Sequence, residues 1–166
     1  MRIRGFTLIE LLVVVAIIGI LSGIALTGTG AARVKARDSQ RKSDLDHIRK
    51  ALHLYDARVG DFIETDSGCG HQGNGSGWFN FQGTNYPKSV NQCLIDAELA
   101  GTIQEPTGGT TSTATAGYAY MKYTCSQGTF LYAKLESIAQ STTATDNTCC
   151  PDCDTSFGMN YVLKAD

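Results

Sequence analysis

An apolar run near the start of the chain limits what this protein can be. The run extends from Phe6 to Leu26, and its one charged side chain is Glu10. As a helix it would be about 32 Å long at about 1.5 Å per residue, which is enough to cross the hydrocarbon core of a bilayer. A short basic leader with Arg2 and Arg4 precedes it. The sequence therefore predicts a membrane-spanning helix at this end of the chain.

The carboxylate of Glu10 needs an explanation in such a helix. A charged side chain at a helix centre costs about 2.5–3.5 kcal/mol on insertion scales, and acids inside membrane segments are usually functional. If the leader were removed after Gly5, Phe6 would carry a free and positively charged α-amino group. Glu10 would then pair with the amine of its own chain, one helical turn away, or with that of a neighbouring chain. A pair between chains would fix the axial register of packed helices.

An ordinary secretory signal peptide is the alternative explanation. It would account for the basic leader and for the small residues near Gly30 as a cleavage site. The apolar run is longer than the usual apolar region of about 7–15 residues, and a signal peptide gains nothing from Glu10. We favour a retained helix, and a secreted or membrane-tethered binding domain that never polymerises stays open as an alternative.

The stretch Gly5-Phe6-Thr7-Leu8-Ile9-Glu10, followed by the apolar run, resembles the start of type IV pilins and of the related pseudopilins of type II secretion. The resemblance implies cleavage after Gly5 by a prepilin peptidase and N-methylation of Phe6. It also implies that Glu10 guides assembly and that the helix serves as both membrane anchor and filament core.

Two further features of the run concern helix packing. Gly19 and Gly23 form a pair of small residues that would let helices approach closely in lipid. Relatives often have a proline just after the apolar run, whereas Thr27 stands here.

A second helical segment follows, at residues 31–59. Its apolar residues recur at spacings of three and four, and Gly60 is a plausible stop. This stripe consists of Leu45, Ile48, Leu52, Tyr55 and Val59.

A basic run precedes the stripe, formed by Arg33, Lys35, Arg37, Arg41 and Lys42. We predict a solvated face or a contact with lipid headgroups in preference to a DNA contact. The net charge of −2 does not indicate a nucleic acid partner, although the basic run leaves one open.

The remainder of the chain predicts a small α+β domain. Residues 64–87 are glycine-rich and read as a loop, and a short helix is expected around Cys93 to Leu99. Alternation with a period of two predicts three strands, which would form an antiparallel sheet with one apolar face covered by the long helix. These strands are Gly117–Tyr123, Thr129–Leu135 and Asn160–Lys164. A long helix packed on such a sheet also resembles the pilin fold.

Six cysteines in this polar part indicate a disulfide framework in an oxidising compartment, with 15 connectivities that the sequence leaves open. They are Cys69, Cys93, Cys125, Cys149, Cys150 and Cys153. A redox pair at Cys150 and Cys153, or a zinc site that adds His71, is less expected than a structural disulfide. Acids at Asp146, Asp152 and Asp154 do not match the spacing of a calcium loop. We expect no cofactor, no metal and no catalytic activity.

The resemblance implies a division into leader (1–5), membrane and filament-core helix (6–30), helix continuing into the head (31–60) and globular head (61–166). It implies a precursor in the bacterial inner membrane and then an extracellular pilus. The cysteines, which favour an oxidising compartment, indicate that the N-terminus lies in the cytoplasm and the head outside. The implied partners are other copies of the chain in a helical homopolymer, the prepilin peptidase, the inner-membrane assembly machinery and lipid. A pseudopilin is the alternative, disfavoured because Glu105-Pro106-Thr107-Gly108-Gly109 stands where major pseudopilins usually have Pro-Asp-Pro-Trp-Gly.

Overall fold

The computed structural model describes residues 6–64, 66–81, 83–107, 120–138, 149–150, 153 and 157–166, and only the backbone of residues 25–28. Its elements are α1 (Leu8–Val59), a 3-10 turn (His71–Gly73), β1 (Gly77–Trp78), α2 (Val90–Asp96), β2 (Met121–Cys125), β3 (Gly128–Ala133) and β4 (Tyr161–Lys164). The chain divides into two compact units, residues 1–36 and 37–166. The long helix and the small antiparallel sheet confirm the predicted α+β, pilin-like fold.

The first unit contains the apolar part of α1. The helix begins at Leu8 and continues through Gly28 and Gly30 without a break in its helical backbone. Its large apolar side chains are exposed, with Leu8 at 86% and Ile24 at 67% of their full accessible surface.

The second unit buries the predicted stripe of α1. Leu45, Ile48 and Leu52 are fully buried, as the spacing predicted. Val59 is 54% exposed, so the prediction was wrong at this last position, where the helix ends. Gly60 adopts φ 92° and its N–H donates to the Asp56 carbonyl at 2.7 Å. A positive φ suits glycine, so Gly60 stops the helix as expected.

The four strands form one antiparallel sheet in the order β1-β2-β3-β4. Strands β2, β3 and β4 fall within or close to the three predicted strands, while residues 117–119 of the first prediction lie outside the described residues. The prediction of a loop over residues 64–87 was wrong at Gly77–Trp78. Two residues are too few to show a period, so β1 carries no strand signal of its own.

Both faces of the sheet are buried, which corrects the prediction of a single apolar face. Leu131 and Ala133 of β3 pack in the same core as Leu45 of α1. On the opposite face, Tyr132 packs in a second core with Trp78 and with residues near the end of the chain, namely Cys150, Cys153 and Met159. Because both faces of the sheet are covered, all residues of β3 after Gly128 are buried.

Lys122 lies on the helix-facing side of the sheet and is fully buried. Its Nζ donates to the carbonyls of Ile63 at 2.9 Å and Gly75 at 3.0 Å and to Oγ1 of Thr124 at 2.9 Å. Burial lowers the pKa of Lys122 to about 8, because desolvation disfavours the ammonium form. The side chain thereby ties the segment after α1 and the glycine-rich loop to β2.

The structure pairs the six cysteines in one of the 15 connectivities, as Cys69–Cys93, Cys125–Cys149 and Cys150–Cys153. The first bond joins the glycine-rich loop to α2, and the second joins the end of β2 to residue 149. The third closes a loop between residues only three positions apart.

Candidate functional site

The start of α1 is closed by reciprocal hydrogen bonds between Thr7 and Glu10. Oε2 of Glu10 accepts from the Thr7 N–H at 2.9 Å and from the Thr7 hydroxyl at 2.8 Å. Oγ1 of Thr7 in turn accepts from the Glu10 N–H at 3.3 Å. This is a capping box, in which each side chain satisfies a backbone donor that has no partner within the helix.

The capping box was missed by the sequence reasoning, although the signal was present. Thr7 and Glu10 have the Ser/Thr-x-x-Glu spacing that marks a helix start before an apolar run. The structure therefore gives Glu10 a role within its own chain, besides the predicted one between chains. The carboxylate also lies where the positive end of the helix dipole favours a negative charge.

Phe6 and Glu10 are exposed, so both are accessible to another molecule. Phe6 retains 75% of its accessible surface. While the leader is attached, its nitrogen belongs to a peptide bond and carries no positive charge. A charged pair between Phe6 and Glu10 therefore requires cleavage after Gly5, a residue that lies outside the described part of the chain.

The helix that follows has the length and composition of a membrane span. An 18-residue window of α1 reaches a mean hydropathy of 2.7, and none of that window is buried within the protein. Signal sequences satisfy the same test. An exposed apolar surface of this size indicates contact with lipid or with other helices.

Gly19 and Gly23 lie on this exposed part of α1. A Cβ atom added to either residue would meet nothing within 4 Å. Neither glycine is therefore needed for packing in the single chain, and their role in helix–helix packing stays a prediction.

The basic run forms the predicted solvated face only in part: Arg33, Lys35 and Lys42 are exposed, whereas Arg37 is half-buried and Arg41 is completely buried. Its guanidinium contacts Asp38 at 2.7 Å, Glu136 at 2.7 Å and Glu105, whose Oε1 accepts from Nε at 2.6 Å. Arg37 also binds Glu136, through Nε at 2.7 Å. The prediction was wrong at Arg37 and Arg41, because Asp38 and carboxylates 64 to 99 positions away in sequence neutralise these two arginines.

Asp38 is also a backbone acceptor in this cluster. It accepts from the N–H groups of Glu136 and Ser137, both at 2.8 Å. Burial raises the pKa of Asp38, but the hydrogen bonds from Ser137, Glu136 and Arg41 outweigh it and lower the value to about 2. The hydrogen bond from Arg37 lowers the pKa of Glu136 to about 2 as well. These shifts mark a stabilising ion cluster between segments distant in sequence.

The zinc and calcium sites considered from the sequence have no support among the residues that the structure describes. Cys149, Cys150 and Cys153 all form disulfides, so they are not thiolate ligands for zinc with His71. No group of three potential metal ligands occurs in the part of the chain that the structure describes. The acids considered for calcium, Asp146, Asp152 and Asp154, lie outside it.

Two comparisons with known proteins bear on this arrangement. Residues 1–26 match the family model of the prokaryotic N-terminal methylation motif. The chain is also 36% identical over 105 residues to the type IV major pilin protein PilA of Myxococcus xanthus (strain DK1622). That match covers 63% of this chain and 44% of the relative, so the chain spans less than half of the relative's length. No solved structure matches the chain significantly.

The motif and the relative agree with the fold. The methylation motif covers the leader, Phe6, Glu10 and the apolar run, and α1 with its antiparallel sheet and disulfides has the expected architecture. In its N-terminal motif, its fold and its similarity to this relative, the chain resembles type IV pilins.

Proposed function

We propose that the chain is the structural subunit of a type IV pilus, made as an inner-membrane precursor with its N-terminus in the cytoplasm and its head outside. A prepilin peptidase cleaves after Gly5, and Phe6 is then methylated. The apolar part of α1 leaves the bilayer and packs against α1 of neighbouring subunits in the filament.

The exposed apolar helix that carries Glu10 is the main support for this proposal. Its large apolar side chains from Phe6 to Ile24 are exposed in the described part of the chain, so lipid or other helices would cover them. A carboxylate held at the start of this surface would dock on the free amine of a neighbour's Phe6. Because an unpaired charge is costly away from water, this pair would select one register of helix packing.

The first test compares two variants that break the capping box in different ways. Glu10→Ala removes the carboxylate and its half of the capping box, whereas Thr7→Val removes the hydroxyl and keeps the carboxylate. We expect Glu10→Ala to accumulate in the membrane at the normal level and to yield few filaments. Thr7→Val loses only a cap contribution of about 1 kcal/mol and should still assemble.

The measurement is the amount of sheared surface filament relative to membrane-bound subunit. Normal filament yield from Glu10→Ala would contradict the proposal. Equal losses of filament in both variants would show that Glu10 acts only as a helix cap. Glu98→Ala, at an exposed residue after α2, serves as the control.

Intact mass and N-terminal sequence of the native protein test the processing step. The proposal predicts a chain that begins at methylated Phe6. A chain that begins near Ala32 would instead show an ordinary signal peptide. A deletion strain that loses secretion but keeps its surface fibres would favour the pseudopilin alternative.

A further inference from the structure

The three disulfides of the head differ in how far solvent reaches them. The cysteines of Cys69–Cys93 and Cys150–Cys153 are buried, and each retains no more than 8% of its accessible surface. Both cysteines of Cys125–Cys149 are partly exposed. Cys125 is the last residue of β2, and the two residues that follow it in the turn to β3 are exposed. This third bond is therefore the one that a molecule in solution can reach.

Access decides how readily a disulfide exchanges with a thiol. A thiolate must reach one of the two sulfur atoms, so exposed disulfides are the labile ones and buried disulfides resist reduction. Loop length does not separate the candidates, because Cys125–Cys149 and Cys69–Cys93 both span 24 positions. In the chain-entropy description these two bonds constrain the unfolded chain equally. A difference in their reactivity would therefore come from their surroundings in the folded head.

The hairpin that carries Cys125 has a second fastening, which Asp166 provides. Oδ1 of Asp166 accepts from the Thr129 N–H at 2.8 Å, and the Ala165 N–H donates to the Thr129 carbonyl at 2.8 Å. Gly128, at φ 124°, gives the carboxylate room to lie against the turn, because a Cβ atom there would collide with Oδ1 of Asp166. Strand β2 also pairs with β3 along its whole length. The end of the hairpin is therefore held in place without the disulfide.

We propose that Cys125–Cys149 is a redox-labile site of the head, which a dithiol opens and a disulfide donor closes while the sheet stays folded. The matching partner is the dithiol of a thiol–disulfide oxidoreductase outside the cytoplasm. This exchange is a property of the head and does not depend on polymerisation.

The exchange proceeds through a mixed disulfide. A thiolate of the dithiol bonds to one sulfur atom of the pair and expels the other as a thiolate. The second thiol of the dithiol then attacks the mixed disulfide, so the reagent leaves as a disulfide and both cysteines become thiols. Two electrons and two protons pass from the dithiol to the head, and a disulfide donor reverses each step.

Thiol labelling during limited reduction tests this site. The full-length protein in detergent would be incubated with dithiothreitol, which is itself a dithiol, and sampled over time into excess N-ethylmaleimide. Tandem mass spectrometry then assigns the label to each cysteine and distinguishes Cys149 from its neighbour Cys150. We expect Cys125 and Cys149 to be labelled faster than the other four cysteines by about tenfold or more.

The product that carries the first two labels should remain folded. Trp78 is the single tryptophan of the chain, and it packs in the second core, against which Cys125 and Cys149 lie. We expect its emission spectrum and the far-ultraviolet circular dichroism of this product to match those of the oxidised protein.

Two double variants locate the fast reaction. Cys125→Ser/Cys149→Ser should lose the fast phase of labelling and keep the slow phase of the remaining four cysteines. Cys69→Ser/Cys93→Ser, which opens a loop of the same length, is the matched control and should keep the fast phase. Circular dichroism checks that both variants are folded.

Labelling of all six cysteines at one rate would overturn the proposal, as would earlier labelling of Cys150 and Cys153. Unfolding of the head after the first two labels would also overturn it, because the bond would then be required by the fold. Failure of the Glu10 experiment would leave the labelling rates unaffected, so the two proposals fail separately.

Discussion

At the scale of single residues, Arg41 is a charged side chain that the head buries completely. Its guanidinium is buried and contacts three carboxylates, those of Asp38, Glu105 and Glu136. Removing one partner of a buried ion cluster is costly because it leaves buried charges without compensation. We expect Arg41→Met to lower the free energy of unfolding of the head by about 3–5 kcal/mol.

Arg49→Met on the same helix is the matched control. Arg49 pairs with Asp46, but both side chains are substantially exposed, at 37% and 47%. Exposed pairs contribute about 0–1 kcal/mol, so this variant should unfold close to the wild type. Urea unfolding of the full chain in detergent, followed by the fluorescence of Trp78, measures both. Similar small losses in the two variants would contradict a stabilising role for the cluster.

At the scale of helices and strands, the spacing of apolar residues predicted the elements whose pattern repeats within one segment of the chain. The stripe of α1 and the alternation in β2 and β3 appear in the sequence because each repeats over several residues. The capping box at Thr7 and Glu10 was readable as well, although it was missed. Asp38 lies within a turn of Arg41 on the same helix, but its other partners, Glu105 and Glu136, were not readable, since no local signal links an arginine to carboxylates 64 and more positions away.

Two of the disulfides close loops of very different length, which allows a prediction about their contributions to stability. Cys69–Cys93 closes 24 positions between the glycine-rich loop and α2, whereas Cys150–Cys153 closes three. In the chain-entropy description, the longer loop gives about 3.5 kcal/mol and the shorter about 2 kcal/mol. We expect the double variant Cys69→Ser/Cys93→Ser to lose more stability than Cys150→Ser/Cys153→Ser in the same urea experiment.

All four cysteines are buried, so each double variant places two hydroxyl groups in the core and the comparison is balanced. A larger loss from Cys150→Ser/Cys153→Ser would show that the short bond stabilises the second core by its packing rather than by chain entropy.

At the scale of the whole molecule, the ion cluster gives the head a defined response to acid. It joins α1 to Glu105 and to the segment after β3, which are far apart in sequence. The pKa values of Asp38 and Glu136 are lowered to about 2 from ordinary values of 3.8 and 4.5. A lowered carboxylate pKa stabilises the fold above the ordinary value, and this stability is lost as the pH falls through the folded value. The free energy of unfolding should therefore be steady above about pH 5 and fall between about pH 4.5 and 2.

We expect that fall to be about 2 kcal/mol, after allowance for the partial exposure of Glu136. Asp44 acts in the opposite direction, because burial raises its pKa and protonation then favours the folded state. The variant Asp38→Asn/Glu136→Gln keeps Asp44, so the difference between its pH profile and that of the wild type isolates the cluster. Urea unfolding at a series of pH values should give a flatter profile for the variant over this window. If the free energies of unfolding of the variant and the wild type changed in parallel with pH, the acid response of the head would not come from the cluster around Arg41.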